Sequence, residues 1–144
     1  ERADLDGVQR SRAHVDALLA REAGRGIAPT RTLLAGFSQG GAIALYAGLR
    51  YPERLAGIVA LSTYLVAADR IDTEASAANR DVPIFMAHGT HDPVIAFVWA
   101  ERSRDALRAT GFDVEWHAYP MEHSAVLEEI QAAGAFIART LAAA

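Results

Sequence analysis

Apolar positions fall into two rhythms along this chain. Leu5, Val8, Val15, Leu18 and Leu19 recur near helical spacing across residues 4–23, with charges between them, which predicts an amphipathic helix. Gly24 and Gly26 supply its stop, and Pro29 marks a further break. Residues 31–37, RTLLAGF, are a short apolar run that fits a buried strand. The stretch from Gln39 to Leu49 combines small residues with Ile43, Leu45 and Leu49 and predicts a helix ending before Pro52. Residues 55–62, LAGIVALS, and 82–87, VPIFMA, are two more buried runs. Residues 113–119, DVEWHAY, predict a fourth strand, rich in aromatic and β-branched types. The intervening residues 66–80 are polar and alanine-rich and read as a loop or a poorly defined excursion. Residues 94–109 predict a helix with a weak stripe, closed by Gly111. Leu127, Ile130, Ile137 and Leu141 mark a final amphipathic helix, with Ser124 as its expected N-cap and Glu128 and Glu129 in its first turn.

The resulting order is α-β-α-β-loop-β-α-β-α. Strands alternating with helices imply an α/β fold, a parallel sheet with helices on both faces. No internal repeat or second domain is visible, and 144 residues fit one domain. The net charge of -4 argues against nucleic acid as a partner. The absence of cysteine removes disulfides, thiolate nucleophiles and Cys-ligated zinc together. No run of eighteen apolar residues predicts a membrane span, and the charged first dozen residues do not read as a signal peptide. A cytoplasmic location is the expectation. The chain begins with Glu1 instead of methionine, so a removed start or a piece of a longer protein is expected.

Candidate chemistry concentrates at GFSQGG, residues 36–41. The pattern Gly36-x-Ser38-x-Gly40 lies where a strand turns sharply into a helix. The expectation is that both flanking glycines are needed because a Cβ would clash there. Such a turn lifts the serine Oγ clear of the sheet. The helix behind it aims backbone N–H groups and the positive end of its dipole at the same place. The Gln39 N–H is then placed to donate to a developing oxyanion.

A serine needs a base, and the base needs an acid to orient it. In a parallel sheet functional groups collect beyond the C-terminal strand ends. After the third strand comes His88-Gly89-Thr90-His91-Asp92-Pro93, and after the fourth Tyr119-Pro120-Met121-Glu122-His123-Ser124. Asp92 and His123, with Ser38, satisfy the chain order Ser…Asp…His of α/β-hydrolases. His14 reads as a surface residue and His117 as a packed one. His88 and His91 are expected to shape the turn that holds Asp92; a metal site made of these three is the alternative, though the spacing lacks helical logic. Glu122 and Asp113 are the competing acids, Glu122 being too close in sequence to His123 for a clean orienting bond.

Three blocks carry a resemblance: GFSQGGAIALYAGLRYPERLAGIVALSTYL, PIFMAHGTHDPVI and VEWHAYPMEHS. They resemble bacterial carboxylesterases related to acyl-protein thioesterases and lysophospholipases. The resemblance implies an α/β-hydrolase with Ser38, Asp92 and His123 as a catalytic triad and neither metal nor organic cofactor. It also implies that Ser62-Thr63-Tyr64-Leu65 lies beside an acyl-binding groove. Family members carry further strands before the helix that opens this chain, and a loop among them with an LHG-type motif donates a second oxyanion N–H. Residues 1–144 therefore resemble the C-terminal two-thirds of one such domain, N-terminally incomplete. Two expectations follow. The oxyanion hole is half-built, a loss of about 10²–10³ in turnover in other enzymes. Strand 31–37 lies on an open edge and invites pairing with a second copy or another chain. The function expected is cleavage of small-molecule carboxylic esters through an acyl-enzyme. A thioesterase or lysophospholipase with the same triad, and a catalytically silent interaction module, are the alternatives.

Overall fold

In the computed structural model of the chain, residues 5–144 are described; Glu1 and the start of the expected first helix lie outside them. Each of the four apolar runs is a strand: β1 (Leu33–Phe37), β2 (Gly57–Leu61), β3 (Ile84–Gly89) and β4 (Val114–Tyr119). All pair in parallel, in the order β1-β2-β3-β4, with Leu33 beside Gly57, Ile58 beside Ile84, and Ile84 beside Val114. The helices are α1 (Leu5–Gly24), α2 (Gln39–Arg50), the short α3 (Ile71–Glu74), α4 (Phe97–Ala109) and α5 (Leu127–Ala142).

The period of two along each strand divides the core. Ile58, Ala60, Ile84, Met86 and Val114 pack with Leu45 and Leu49 of α2 and Leu107 of α4 on one face. Val59, Phe85 and Ala87 meet Ala133 and Phe136 of α5 on the other. Burying a side chain of this kind contributes roughly 1.5–3 kcal/mol, so the continuous apolar runs of β2 and β3 hold the layers together. Helix α1 adds an outer layer, with Val8 packed against Ala42 and Tyr46 of α2.

Three sequence expectations are corrected. Residues 66–80 form an ordered excursion: it holds α3, buries Ile71, and contributes the buried Asn79. The Asn79 amide donates to the carbonyls of Tyr51 and Glu53 and accepts from the Leu55 N–H, which fixes the entry to β2. Helix α4 starts at Phe97, not residue 94, because the Asp92 carboxylate holds the Val94 and Ile95 N–H groups in a turn. Ser124 is not the N-cap of α5: the helix begins at Leu127 after Val126, with no side-chain cap, and the Ser124 carbonyl accepts from Ser62 Oγ at 3.5 Å.

The inward face of α5 also differs. Glu129, Ala133, Phe136 and Thr140 are buried, whereas Leu127 and Ile130 are 67% and 51% exposed. Phe136 decides the rotation, since its ring lies 5.5 Å from that of Phe85. The cost falls on Glu129, which is fully buried with neither oxygen in a well-formed hydrogen bond and only the Val126 backbone amide to support it. At the edge of the sheet β1 has β2 as its one described neighbour, and its Phe37 is 42% exposed.

Burial pushes the Glu129 carboxyl above its ordinary value of 4.5. A raised folded-state pKa favours the native protein while the group is protonated. That advantage is complete below the unfolded value and is lost as pH rises through the folded one. Glu129→Gln is therefore expected to match the parent near pH 4 and exceed it at pH 8, by about 1–3 kcal/mol or several degrees in thermal midpoint. Equal midpoints for the two proteins at both pH values would contradict this account of Glu129.

Candidate active site

The site begins with backbone strain at one residue. Ser38 ends β1 with φ 57° and ψ -121°, a conformation a side chain seldom adopts. Two hydrogen bonds hold it. Its N–H donates to Leu61 O on β2 at 2.8 Å, and its carbonyl accepts the Ala42 N–H, the first bond of α2, at 3.1 Å. The turn is so tight that a Cβ on Gly36 would overlap the Gly40 carbonyl group, and one on Gly41 would lie 2.8 Å from Thr63 Cγ2. Gly40 itself faces open space. Close packing thus demands glycine at 36 and 41, and the sequence expectation for Gly40 is corrected: that position matters as the backbone under Gly36.

Asp92 and His123 arrive from beyond the C-terminal ends of β3 and β4. His123 Nε2 lies 3.0 Å from Ser38 Oγ, and His123 Nδ1 lies 2.7 Å from Asp92 Oδ2. Both ring nitrogens are thereby occupied, and neither Glu122 nor Asp113 is bonded to the ring. The ring also rests on Phe37, with centroids 4.9 Å apart. Gly89 makes the approach possible: the carbonyls of Met121 and Glu122, in the segment that delivers His123, cross where its Cβ would sit.

Asp92 Oδ1 accepts the N–H groups of Val94 and Ile95 at 2.8 and 2.9 Å. Burial pushes the Asp92 carboxyl up, but the bonds from His123, Ile95 and Val94 outweigh it and hold the group below its ordinary value of 3.8. The carboxylate therefore stays ionised where a histidine titrates. His88 does more than shape the turn. Fully buried, it directs Nε2 at Ile95 O (2.8 Å) and at Asp92 Oδ2 (3.3 Å). The bond to Ile95 O fixes the proton on Nε2 and leaves Nδ1, buried without a partner, as the bare nitrogen. The signal in the sequence was a histidine inside a continuous apolar strand, but which acceptors it would meet depended on the path of residues 92–95.

The remaining candidates fall as follows. His14 and His91 are exposed, and His117 is half-buried, stacked on Phe85 at 5.1 Å and bonded to Glu115 at 2.8 Å. No group of three or more His, Asp or Glu residues among the described ones is arranged to hold a metal ion. Gln39 opens α2, whose first-turn amides have no carbonyl behind them in the helix. Tyr64 and Leu65 line a cavity of about 560 Å³ together with Val94, Ile95, Trp99 and Arg102. The sequence did not show what fixes this wall: the buried Ser103 Oγ accepts the Leu65 N–H and donates to Trp99 O, both at 2.8 Å. Another cavity, of about 580 Å³, opens beside Leu55 and Ile84 and is lined by none of Ser38, Asp92 and His123.

This parallel sheet, with helices on both faces and its serine turn after β1, is an α/β-hydrolase fold. The chain belongs to the phospholipase/carboxylesterase family, whose model matches residues 1–141. It is 39% identical over 143 residues to an acyl-protein thioesterase 1 of Gibberella zeae, covering 96% of this chain and 60% of that protein. It is 40% identical over 141 residues to an acyl-protein thioesterase 1 of Neurospora crassa, covering 96% and 58%. Among solved structures, Arabidopsis thaliana SOBER1 superposes with a TM-score of 0.92 at 29% identity, covering 98% of this chain and 68% of that one. Zea mays acyl-protein thioesterase 2 does so at 0.81 and 31%, covering 96% and 66%. The chain thus spans about 60% of the length of the fungal relatives. The kinship holds for the family as a whole and not for its bacterial members in particular. No helix among the described residues is long and apolar enough to cross a membrane.

The glycine geometry separates the three glycines of GFSQGG. Gly36→Ala and Gly41→Ala are expected to lower the thermal midpoint, each by about 1–3 kcal/mol of stability or more, through overpacking. Gly40→Ala, in a helix and facing open space, is expected to be neutral or to stabilise by up to about 1 kcal/mol. A Gly40→Ala protein as damaged as the Gly36→Ala protein would show that the turn is packed differently.

Proposed function

We propose that this chain carries the nucleophile, base and acid of a serine hydrolase that cleaves carboxylic esters through an acyl-enzyme. The observation that carries the reading is the continuous hydrogen-bonded line from Ser38 Oγ through His123 to Asp92, at 3.0 and 2.7 Å. Ser38 Oγ attacks the carbonyl carbon as His123 Nε2 takes its proton. The Gln39 N–H, at the positive end of α2, donates to the oxyanion of the tetrahedral intermediate. His123 then gives the proton to the leaving alcohol, and Asp92 holds the imidazole tautomer and stabilises its cation. Water, deprotonated by the same histidine, attacks the acyl-serine and frees the acid. The acyl group lies along Tyr64 and Leu65. A thioester is the second substrate class, favoured by the 39–40% identity to proteins named acyl-protein thioesterases. The same steps apply, with a thiol as leaving group.

A fluorophosphonate ester is expected to form one adduct, on Ser38, mapped by mass spectrometry; an adduct elsewhere with Ser38 untouched would refute the assignment. His123→Ala is expected to abolish labelling and turnover, and adding Asp92→Ala is expected to cost little more, because the residues act as one unit. His91→Ala is expected to retain most activity. His88→Ala is expected to lower turnover. Asp92 loses a contact and Ile95 O its partner, worth about 1.4 kcal/mol or tenfold in rate.

The exposed edge belongs to the same proposal. β1 offers its outer N–H and C=O groups, and any of these buried without a partner costs about 1–3 kcal/mol. Copies of this chain are expected to associate through residues 31–37 at micromolar concentration. Light scattering reads this directly, and a concentration-independent mass of 15.4 kDa would refute it.

A further inference from the structure

The cavity beside Asp92 is mostly apolar and open to solvent at Val94 and Trp99, with Tyr64, Ser103 and one charged side chain also on its lining. Leu65, Val94, Ile95 and Trp99 wall it, and Arg102 is its single charged lining residue. Arg102 stands one turn after Trp99 on α4, and its guanidinium carbon lies 4.9 Å from the centre of the indole ring. A guanidinium held over an indole keeps N–H groups free for a second partner. The other arginines of that helix are engaged: Arg104 pairs with Asp105 at 2.9 Å, and Arg108 donates to Val114 O at 2.8 Å. Arg102 has no ion pair among the described residues. Of the acids next in sequence to cavity residues, Asp69 and Glu101 do not take it, and Asp92 is engaged by His123, Val94 and Ile95.

The cavity is built into the fold, since Ser103 ties the Leu65 backbone to α4 as described above. It also adjoins the reacting groups. Residues 93–96, which line it, follow Asp92 directly, and Tyr64 borders both this cavity and the depression beside Gln39. We infer that the cavity takes an acyl chain bearing an anionic group, a carboxylate or a phosphate monoester, remote from the scissile carbonyl, and that Arg102 reads that charge. The assignment rests on the ester-hydrolase reading. The apolar walls take the methylene chain, and the planar fork of Arg102 matches either oxyanion in a bidentate pair. The chain as a whole carries -4, so an anion is drawn to this place by a local cation and not by the general field.

Calorimetric titration of the Ser38→Ala protein with decanoate, decyl phosphate and decanol tests the assignment without turnover. At least one of the two anions is expected to bind about tenfold or more tightly than decanol, and the tighter of them identifies the group. Arg102→Gln is expected to remove that difference and leave decanol binding unchanged; Arg102→Lys is expected to keep part of it. Equal binding of all three ligands, or an Arg102→Gln protein that loses decanol as fully as the anions, would overturn the proposal. Failure of the serine to label with a fluorophosphonate, with this anion preference intact, would count against the hydrolase reading and not against the anion site.

Discussion

The carboxylate of Asp92 is the constraint on which the site turns. It accepts the N–H groups of Val94 and Ile95 and the Nδ1–H of His123, and the Nε2 of His88, bonded to Ile95 O, touches it at 3.3 Å. Those groups come from three parts of the chain: the strand before it, the turn after it and the segment following β4. An unpaired buried carboxylate would be untenable, so each donor is held in place by the charge it satisfies. The same bonds delay the start of α4, which leaves Val94 and Ile95 free to form the wall of the neighbouring cavity. One side chain thereby fixes the histidine's tautomer, the start of a helix and the shape of a binding surface.

The serine end is organised differently. There the control is steric, and it lies in what is missing: no Cβ on Gly36, none on Gly41, none on Gly89. Helix and strand come within a glycine's reach at the first two, and the segment bearing His123 crosses β3 at the third. The strain at Ser38 is balanced by its bond to Leu61 O, so the conformation of the nucleophile is part of the β1–β2 pairing.

Much of this was legible because the relevant signals are local. The four apolar runs named the strands, and the chemistry of sharp strand-to-helix turns named Ser38. The rule that groups collect at C-terminal strand ends selected Asp92 and His123 from several acids and five histidines. What was not legible depends on contacts between distant parts of the chain. Leu127 and Ile130 read as a buried stripe, but the fit of Phe136 against Phe85 set the rotation of α5 and turned Glu129 inward. Residues 66–80 read as a loop because their order comes from Asn79 bonding to residues more than twenty positions earlier. Gly40 read as a packing glycine because a motif records which residue types occur, not which atoms they meet.

Ser38 and His123 are 85 positions apart in sequence, and every strand pairing between them is parallel and non-local. Such pairings form late, because loop-closure entropy is spent before their contacts stabilise anything. No subset of the sheet brings Ser38 to His123: β1 must dock on β2, β2 on β3, and β4 must close before the segment behind it can cross Gly89. During refolding, helical signal and apolar collapse can recover while the serine is still inert. Under the proposed mechanism, reactivity at that one oxygen is a clock for the completion of the whole sheet.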